Sequence, residues 1–321
     1  RDSSVTGVQT CALPISYGFE TAVCFTREFR DPRTDTFKAI LYSGLLCIFV
    51  FTVVPLAFQG SIGLGQLVTP EVKDAAGNVV TPAVYDGILS PDIYSGMGVA
   101  HAMAHMVGGG ALVEHVLMAM LVLALVLSIM TSMAGSSRTL YQASVDGWLP
   151  KYLSHVNANG APIPAMWTDL GFNLLLLLMS DYVFVLAISN VCYILFNFLN
   201  LNAAWIHRID RPGWPRPFKA PTWLIVIGTA LAFVNLALMG MGADIWGSGT
   251  LATGLLAAAM ILPVFFYRHY VQDKGQFPAA MQEDMHLGSE EGVGTRAGIL
   301  PYVTLLGGAA VIYIAHSLAV L

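Results

Sequence analysis

The sequence predicts an all-α, polytopic membrane protein, and three observations predict it. Hydrophobic residues make up 56 % of the chain and charged residues only 11 %, where a soluble domain carries about 25 % charged residues; mean hydropathy is +0.66. Apolar runs of membrane-spanning length recur from end to end. The basic residues between those runs fall almost entirely in alternate loops.

The runs place seven complete spans near residues 39–59, 112–135, 164–180, 183–206, 222–243, 249–267 and 298–320, with a partial span at 16–26. The run at 164–180 is short, but Pro162 and Pro164 suit the first turn of a helix, where a missing N–H costs nothing. Arg27, Arg30, Arg33 and Lys38 precede the first complete span. The next loop holds only Lys73, and the one after it holds Arg138 and Lys151. Arg208, Arg211, Arg216 and Lys219 follow, then Arg268, Lys274 and Arg296, while the short turns near Asp181 and Asp244 hold none. Of the fourteen basic residues after Arg1, thirteen lie on one side. A Lys/Arg excess marks the cytoplasmic side.

The net charge of −5 is small and points to no nucleic-acid partner. Cys24, Cys47 and Cys192 stand singly in apolar runs, with neither disulfide nor metal spacing. His101 and His105 share one face of an expected surface helix over residues 93–107. An HxxxH pair suits a metal, but no third ligand stands at a fixed spacing. Two interfacial histidines are the preferred reading, so no metal and no organic cofactor are expected. Asp74, Ala75, Ala76, Gly77 and Asn78 read as turn or coil.

Residues 5–15 read VTGVQTCALPI, which back-translates to codons that can spell a common short-read sequencing adapter. Residues 1–15 are therefore expected to be a translated library artefact and are set aside from fold reasoning. The remaining chain is then expected to start inside a transmembrane helix. Residues 16–270 read as one transporter-like body, 271–297 as a polar cytoplasmic linker, and 298–321 as an additional transmembrane helix.

Residues 16–40 carry the densest information. If Arg27 lies at the membrane surface, Tyr17, Gly18 and Phe19 lie roughly 15 Å deeper, near the midplane of a core about 30 Å thick. Glu20 stands beside them. A glycine and a carboxyl at that depth are costly, and such groups usually line a pathway or a bundle interior. Ser128, Thr131 and Ser132 lie at a comparable depth, counted back from Arg138. Ser189, Asn190, Asn197, Asn200 and Asn202 share the span 183–206, where amides serve either helix packing or pathway lining.

Three motifs carry a family resemblance. Gly18-Phe19-Glu20, then Asp31-Pro32-Arg33 and Lys38-Ala39-Ile40, resembles the end of the sixth segment of amino acid permeases of the amino acid–polyamine–organocation superfamily. Arg138, Leu140, Tyr141, Asp146-Gly147, Leu149-Pro150, Gly160 and Pro162 resemble the pattern after the eighth segment. Arg216-Pro217-Phe218-Lys219-Ala220-Pro221 resembles the signature between segments ten and eleven. The resemblance implies the C-terminal part of a LeuT-like inverted-repeat transporter fold, from the end of segment 6 through segment 12, plus one extra span. It implies secondary transport of an amino acid or related amine across the plasma membrane by alternating access, with no enzymatic step. Tyr17, Gly18 and Phe19 are the implied substrate contacts. Glu20 is either a coupling acid or a structural one. Ser128, Thr131, Ser132 and Asn197 are candidate ion or pathway residues, with H+ or Na+ as the coupling ion. A transporter-like sensor or scaffold and, more remotely, a histidine-box membrane enzyme are the alternatives.

The orientation is testable with an impermeant thiol reagent on intact cells. Lys73→Cys should label from outside, and Lys151→Cys and Lys219→Cys should not. Outside labelling of Lys219→Cys would overturn the topology.

Overall fold

The computed structural model describes residues 24–25, 29–70, 72–73, 79–81, 84–90, 93, 98–179, 182–213, 216, 218–284 and 298–320. The expectations for residues 1–15, for Tyr17, Gly18, Phe19 and Glu20, for the turn 74–78 and for residues 285–297 of the linker lie outside the described residues.

Seven apolar helices correspond to the seven predicted spans. They are α1 (Pro32–Ile62), α3 (Ala111–Val145), α4 (Ile163–Met179), α5 (Tyr182–Asp210), α6 (Thr222–Gly242), the broken pair α7 (Thr250–Ala259) and α8 (Ile261–Phe266), and α10 (Leu300–Val320). Among the described residues six stretches are long and apolar enough to cross a membrane, and α4, with 17 residues, is the shorter seventh. The apolar windows of α1 and α3 bury none of their residues. Faces of that kind are at rest only against hydrocarbon or another apolar surface.

Where boundaries differ from expectation, local chemistry explains the difference. The span expected over 249–267 is interrupted at Met260. Pro263 lacks the N–H that would bond the Ala259 carbonyl, and its ring crowds that carbonyl. A π-helical turn, Tyr267–Gln272, then closes the segment. The helix expected to end near residue 135 runs on to Val145, where it stops in a Schellman motif. The Trp148 N–H donates to the Ala143 carbonyl at 2.8 Å and the Gly147 N–H to the Ser144 carbonyl at 3.2 Å. Gly147 has φ +88, and a Cβ there would lie 2.5 Å from Pro278 Cδ, so the turn and the close approach both need glycine.

By its contacts the chain forms two units, one containing Cys24–Phe37 and Met133–Leu321, the other containing Lys38–Ser132. In the second unit the loop after α1 is not plain coil. Strand β1 (Leu67–Thr69) pairs antiparallel with β4 (Val84–Tyr85), and β2 (Val72–Lys73) pairs with β3 (Val79–Thr81). Leu67, Val68, Thr69, Val72, Val79, Val80, Thr81, Val84 and Tyr85 supply this nested ribbon, mostly with β-branched side chains that favour extended backbone. Asp86 closes its base, accepting from the Gln66 N–H while its own N–H donates to the Gln66 carbonyl. The surface helix expected over 93–107 is described only as α2, Val99–Met106. Ala100, Ala102 and Ala104 are buried on it, while His101 and His105 are exposed.

The core of the first unit lies among α5, α6, α7 and α10. Val191, Phe198, Leu236, Leu251 and Ile312 form its centre. Phe198 meets Phe233 edge to face, with centroids 5.0 Å apart. Association in lipid draws on van der Waals contact rather than water exclusion, which favours small residues where helices touch. The seam follows that rule. A Cβ on Gly254 would lie 2.6 Å from Val191, and one on Gly308 would lie 2.8 Å from the Phe198 ring and 3.1 Å from Leu236. α10 thus packs into this core through Gly308.

Gly307 and Gly308 make a matched pair for testing that contact. At Gly307 an added Cβ meets Phe233 at an ordinary 3.7 Å. Gly307→Ala should be neutral or stabilising by up to about 1 kcal/mol through helix propensity. Gly308→Ala should cost about 1–3 kcal/mol by overpacking. Thermal unfolding of the two variants in detergent reads the difference, and equal midpoints would remove the seam.

Candidate functional site

Of the residues expected to touch substrate, Tyr17, Gly18, Phe19 and Glu20 lie outside the described residues. Ser128, Thr131 and Ser132 lie on α3 within the second unit, on an exposed face. The Thr131 hydroxyl donates to the Leu127 carbonyl one turn back at 2.9 Å. Asn197 is half-buried on α5, within the first unit. Its neighbour Asn202 is 2 % exposed and purely structural. The Asn202 amide donates to the Phe198 carbonyl at 2.8 Å, and its oxygen accepts from Trp205 Nε1 at 2.9 Å. Both partners lie on α5 itself, so this amide is satisfied within its own helix rather than across a helix seam.

The motif residues assemble at the ends of the helices that carry the basic loops. The turn after α3 docks onto the end of the α7–α8 segment. Trp148 stacks on Phe265 at 5.2 Å and meets Phe277 at 5.8 Å. The Ser144 hydroxyl donates to the Pro150 carbonyl at 2.7 Å, and Arg268 Nη2 donates to the Ser144 carbonyl at 3.2 Å. Arg268, 3 % exposed, also faces Asp273 with Nε and Oδ2 2.6 Å apart, an ion pair rather than an aligned hydrogen bond. Lys151 closes the cluster from the other side, 2.9 Å from Asp273 Oδ1, and donates through Nζ to the Gln272 carbonyl at 3.0 Å. A buried guanidinium needs a counter-charge, and Asp273 supplies it.

A second cluster gathers the linker between α5 and α6. Arg216 Nη2 donates to the carbonyls of Arg211 at 2.7 Å and of His207 at 2.9 Å. Arg208 Nη2 donates to the Ala220 carbonyl at 2.6 Å. Phe218 stacks on Phe37 at 4.1 Å, joining the linker to the first turns of α1. Arginine's planar fork suits this work, because carbonyls at a helix end have lost their own helical donors.

A third contact lies just inside the helices. The Ser136 hydroxyl donates to Asp169 Oδ2 at 2.6 Å, and the Asn173 amide donates to the Asp169 carbonyl at 2.9 Å. Arg138 sits over the Phe25 ring at 4.3 Å, and Thr139 meets Cys24 at 3.3 Å. The turn at 146–150 and the linker arginines Arg208 and Arg216 are thus scaffold at this face.

Sequence reasoning missed two of these participants. Gln272 and Asp273 fall in the stretch read as plain linker, and they sit 121 and 122 positions from Lys151 in the chain. No local pattern announces that pairing. Asp169 did leave a signal, a lone acid within an apolar run. His101, by contrast, pairs with Glu114, Nδ1 to Oε2 at 3.1 Å. Among the described residues no group of three or more His, Cys, Asp or Glu is placed to hold a metal ion.

The helix lengths, their apolar surfaces and the polar fastening at one set of ends define a multi-pass, all-α integral membrane protein. The family model described as amino acid permease matches residues 4–266 of the chain. The chain belongs to the amino acid permeases, of the amino acid–polyamine–organocation superfamily, a family of transporters whose general activity is amino acid transport. The matched range begins inside the adapter-like stretch and stops before α10. No curated protein and no solved structure matches the chain.

The Arg268–Asp273 pair makes a two-step prediction. Arg268→Met leaves Asp273 facing only the half-exposed Lys151, and should cost about 3–5 kcal/mol. Adding Asp273→Leu removes the orphaned charge and should recover most of that loss. Thermal unfolding in detergent measures both, and a double variant no better than the single one would show that the pair is not the fastening element.

Proposed function

We propose that the chain performs secondary active transport of an amino acid or related amine across the plasma membrane by alternating access. The family match over residues 4–266 carries this reading. It is supported by the unbroken order of apolar helices from α1 to the α7–α8 pair, which follows the order expected for the later segments of an inverted-repeat transporter.

In this reading the unwound backbone around Tyr17, Gly18 and Phe19 offers carbonyls to the substrate ammonium, and the Tyr17 or Phe19 ring packs on its side chain. Glycine allows the backbone to leave helical geometry and come close to a ligand. Glu20 is the proposed coupling group. Ser128, Thr131, Ser132 and Asn197 are proposed as pathway or ion contacts, with H+ or Na+ as the driving ion. The clusters at Arg268 and Arg216 hold the inner helix ends and take no part in binding substrate.

Uptake of radiolabelled amino acids into proteoliposomes tests the reading in the transport-competent protein that carries this sequence. Gly18→Leu should abolish binding while leaving the protein inserted. Glu20→Gln should keep exchange but remove the pH dependence of uptake. Unchanged affinity in a well-expressed Gly18→Leu protein would remove the assigned site. Binding without flux would assign the protein as a sensor instead.

A further inference from the structure

A cavity of about 470 Å3 opens among α5, α6, α7 and α10, wholly inside the first unit. Leu195 and Phe198 of α5, Leu236 of α6, Leu255 of α7, and Leu305 and Ile312 of α10 belong to its apolar wall. Leu305 and Tyr313 line it and are also exposed, so it opens on the outer surface of α10. Because the family match stops at residue 266, one whole wall comes from a helix outside the matched range. The cavity is therefore not built from the matched permease segments alone.

Besides the Tyr313 hydroxyl, two polar groups join this lining, Asp244 and His316. Asp244 follows α6, whose 21 residues start just after the Arg216–Lys219 linker. At 1.5 Å per residue that helix spans about 30 Å, one hydrocarbon thickness. Asp244 therefore lies at headgroup level on the side opposite the basic turns. One of its carboxylate oxygens accepts the Leu251 N–H at 2.9 Å at the start of α7, and the other has no partner among the described residues. Nor does His316 have one among the described residues.

The occupant follows from shape and charge. A transmembrane helix is about 10 Å across and does not fit such a space, whereas the volume lies within the range of small-ligand pockets. In a chain that spans a bilayer, the apolar matter at hand is the acyl chain. A carboxylate and an imidazole in one lining favour a headgroup with both an ammonium and a phosphate. We propose that this cavity is a binding site for one phospholipid of the leaflet opposite the basic face. The lipid's acyl chain fills the space along α10, its primary ammonium pairs with Asp244, and its phosphate accepts from the His316 imidazole. The lipid so held fills the seam between α10 and the permease helices.

The full chain in nanodiscs, photolabelled with diazirine-acyl phosphatidylethanolamine or diazirine-acyl phosphatidylglycerol, tests this by peptide mass spectrometry. Peptides of α7 and α10 should label about tenfold more with the ethanolamine lipid, the worth of one charge-assisted hydrogen bond. Asp244→Asn keeps the acceptor for the Leu251 N–H and should bring that ratio near one. Ala309→Phe fills the cavity and should suppress labelling of these peptides by both probes, with α3 labelling unchanged. Ala252→Leu repeats that test if the first variant misfolds. Equal labelling by the two lipids, a preference surviving Asp244→Asn, or labelling undiminished in both filled variants would each overturn the proposal. So would disulfide cross-linking of two copies through Ala309→Cys without lipid labelling, which would make the groove a dimer contact.

Discussion

Hydrocarbon offers no hydrogen bonds, and the rest of this structure depends on that constraint. Backbone amides inside the bilayer must be satisfied within each helix, so the spans are helices and irregular backbone is confined to their ends. Where a helix breaks inside the apolar region, as at Met260, the cause is the absent N–H of Pro263. Side-chain polarity obeys the same rule. Asn202 is buried with both its oxygen and its amide engaged, and Ser136, Asn173 and Asp169 satisfy one another between α3 and α4.

Because water exclusion does little between helices in lipid, the unit built on α5, α6, α7 and α10 holds by contact. Glycines at the seams let ring and aliphatic side chains fit against backbone, as Phe198 does at Gly308. Charge is reserved for the ends. Arg268 with Asp273 and Lys151 ties the turn after α3 to the end of the last matched segment, and Arg208 and Arg216 hold the linker before α6. Such fastening holds these helix ends together at the edge of the apolar region.

The motif residues that announce the family are therefore largely mechanical. Gly147 is required by a positive φ and by the approach of Pro278, and Pro150 offers its carbonyl to Ser144.

The sequence by itself determined the class, the number and order of the spans, and the side on which the basic loops gather. Each of these follows from one-dimensional quantities: run length against bilayer thickness, and the placement of Lys and Arg. It also singled out Gly18 and Glu20 as candidates, by depth counted in residues from Arg27, and both lie outside the described residues. It understated the loop after α1, because strands of two or three residues such as β2 and β3 carry too short an alternation to stand out. Tertiary structure alone decided that Asp273, in an apparently plain linker, neutralises Arg268 and Lys151, and that α10 closes against Phe198 and Leu236. Lys151 lies 122 residues from Asp273, and α10 meets Phe198 and Leu236 from a separate helix. Pairings at such distances arise from how helices pack, a quantity that neither hydropathy nor local spacing encodes.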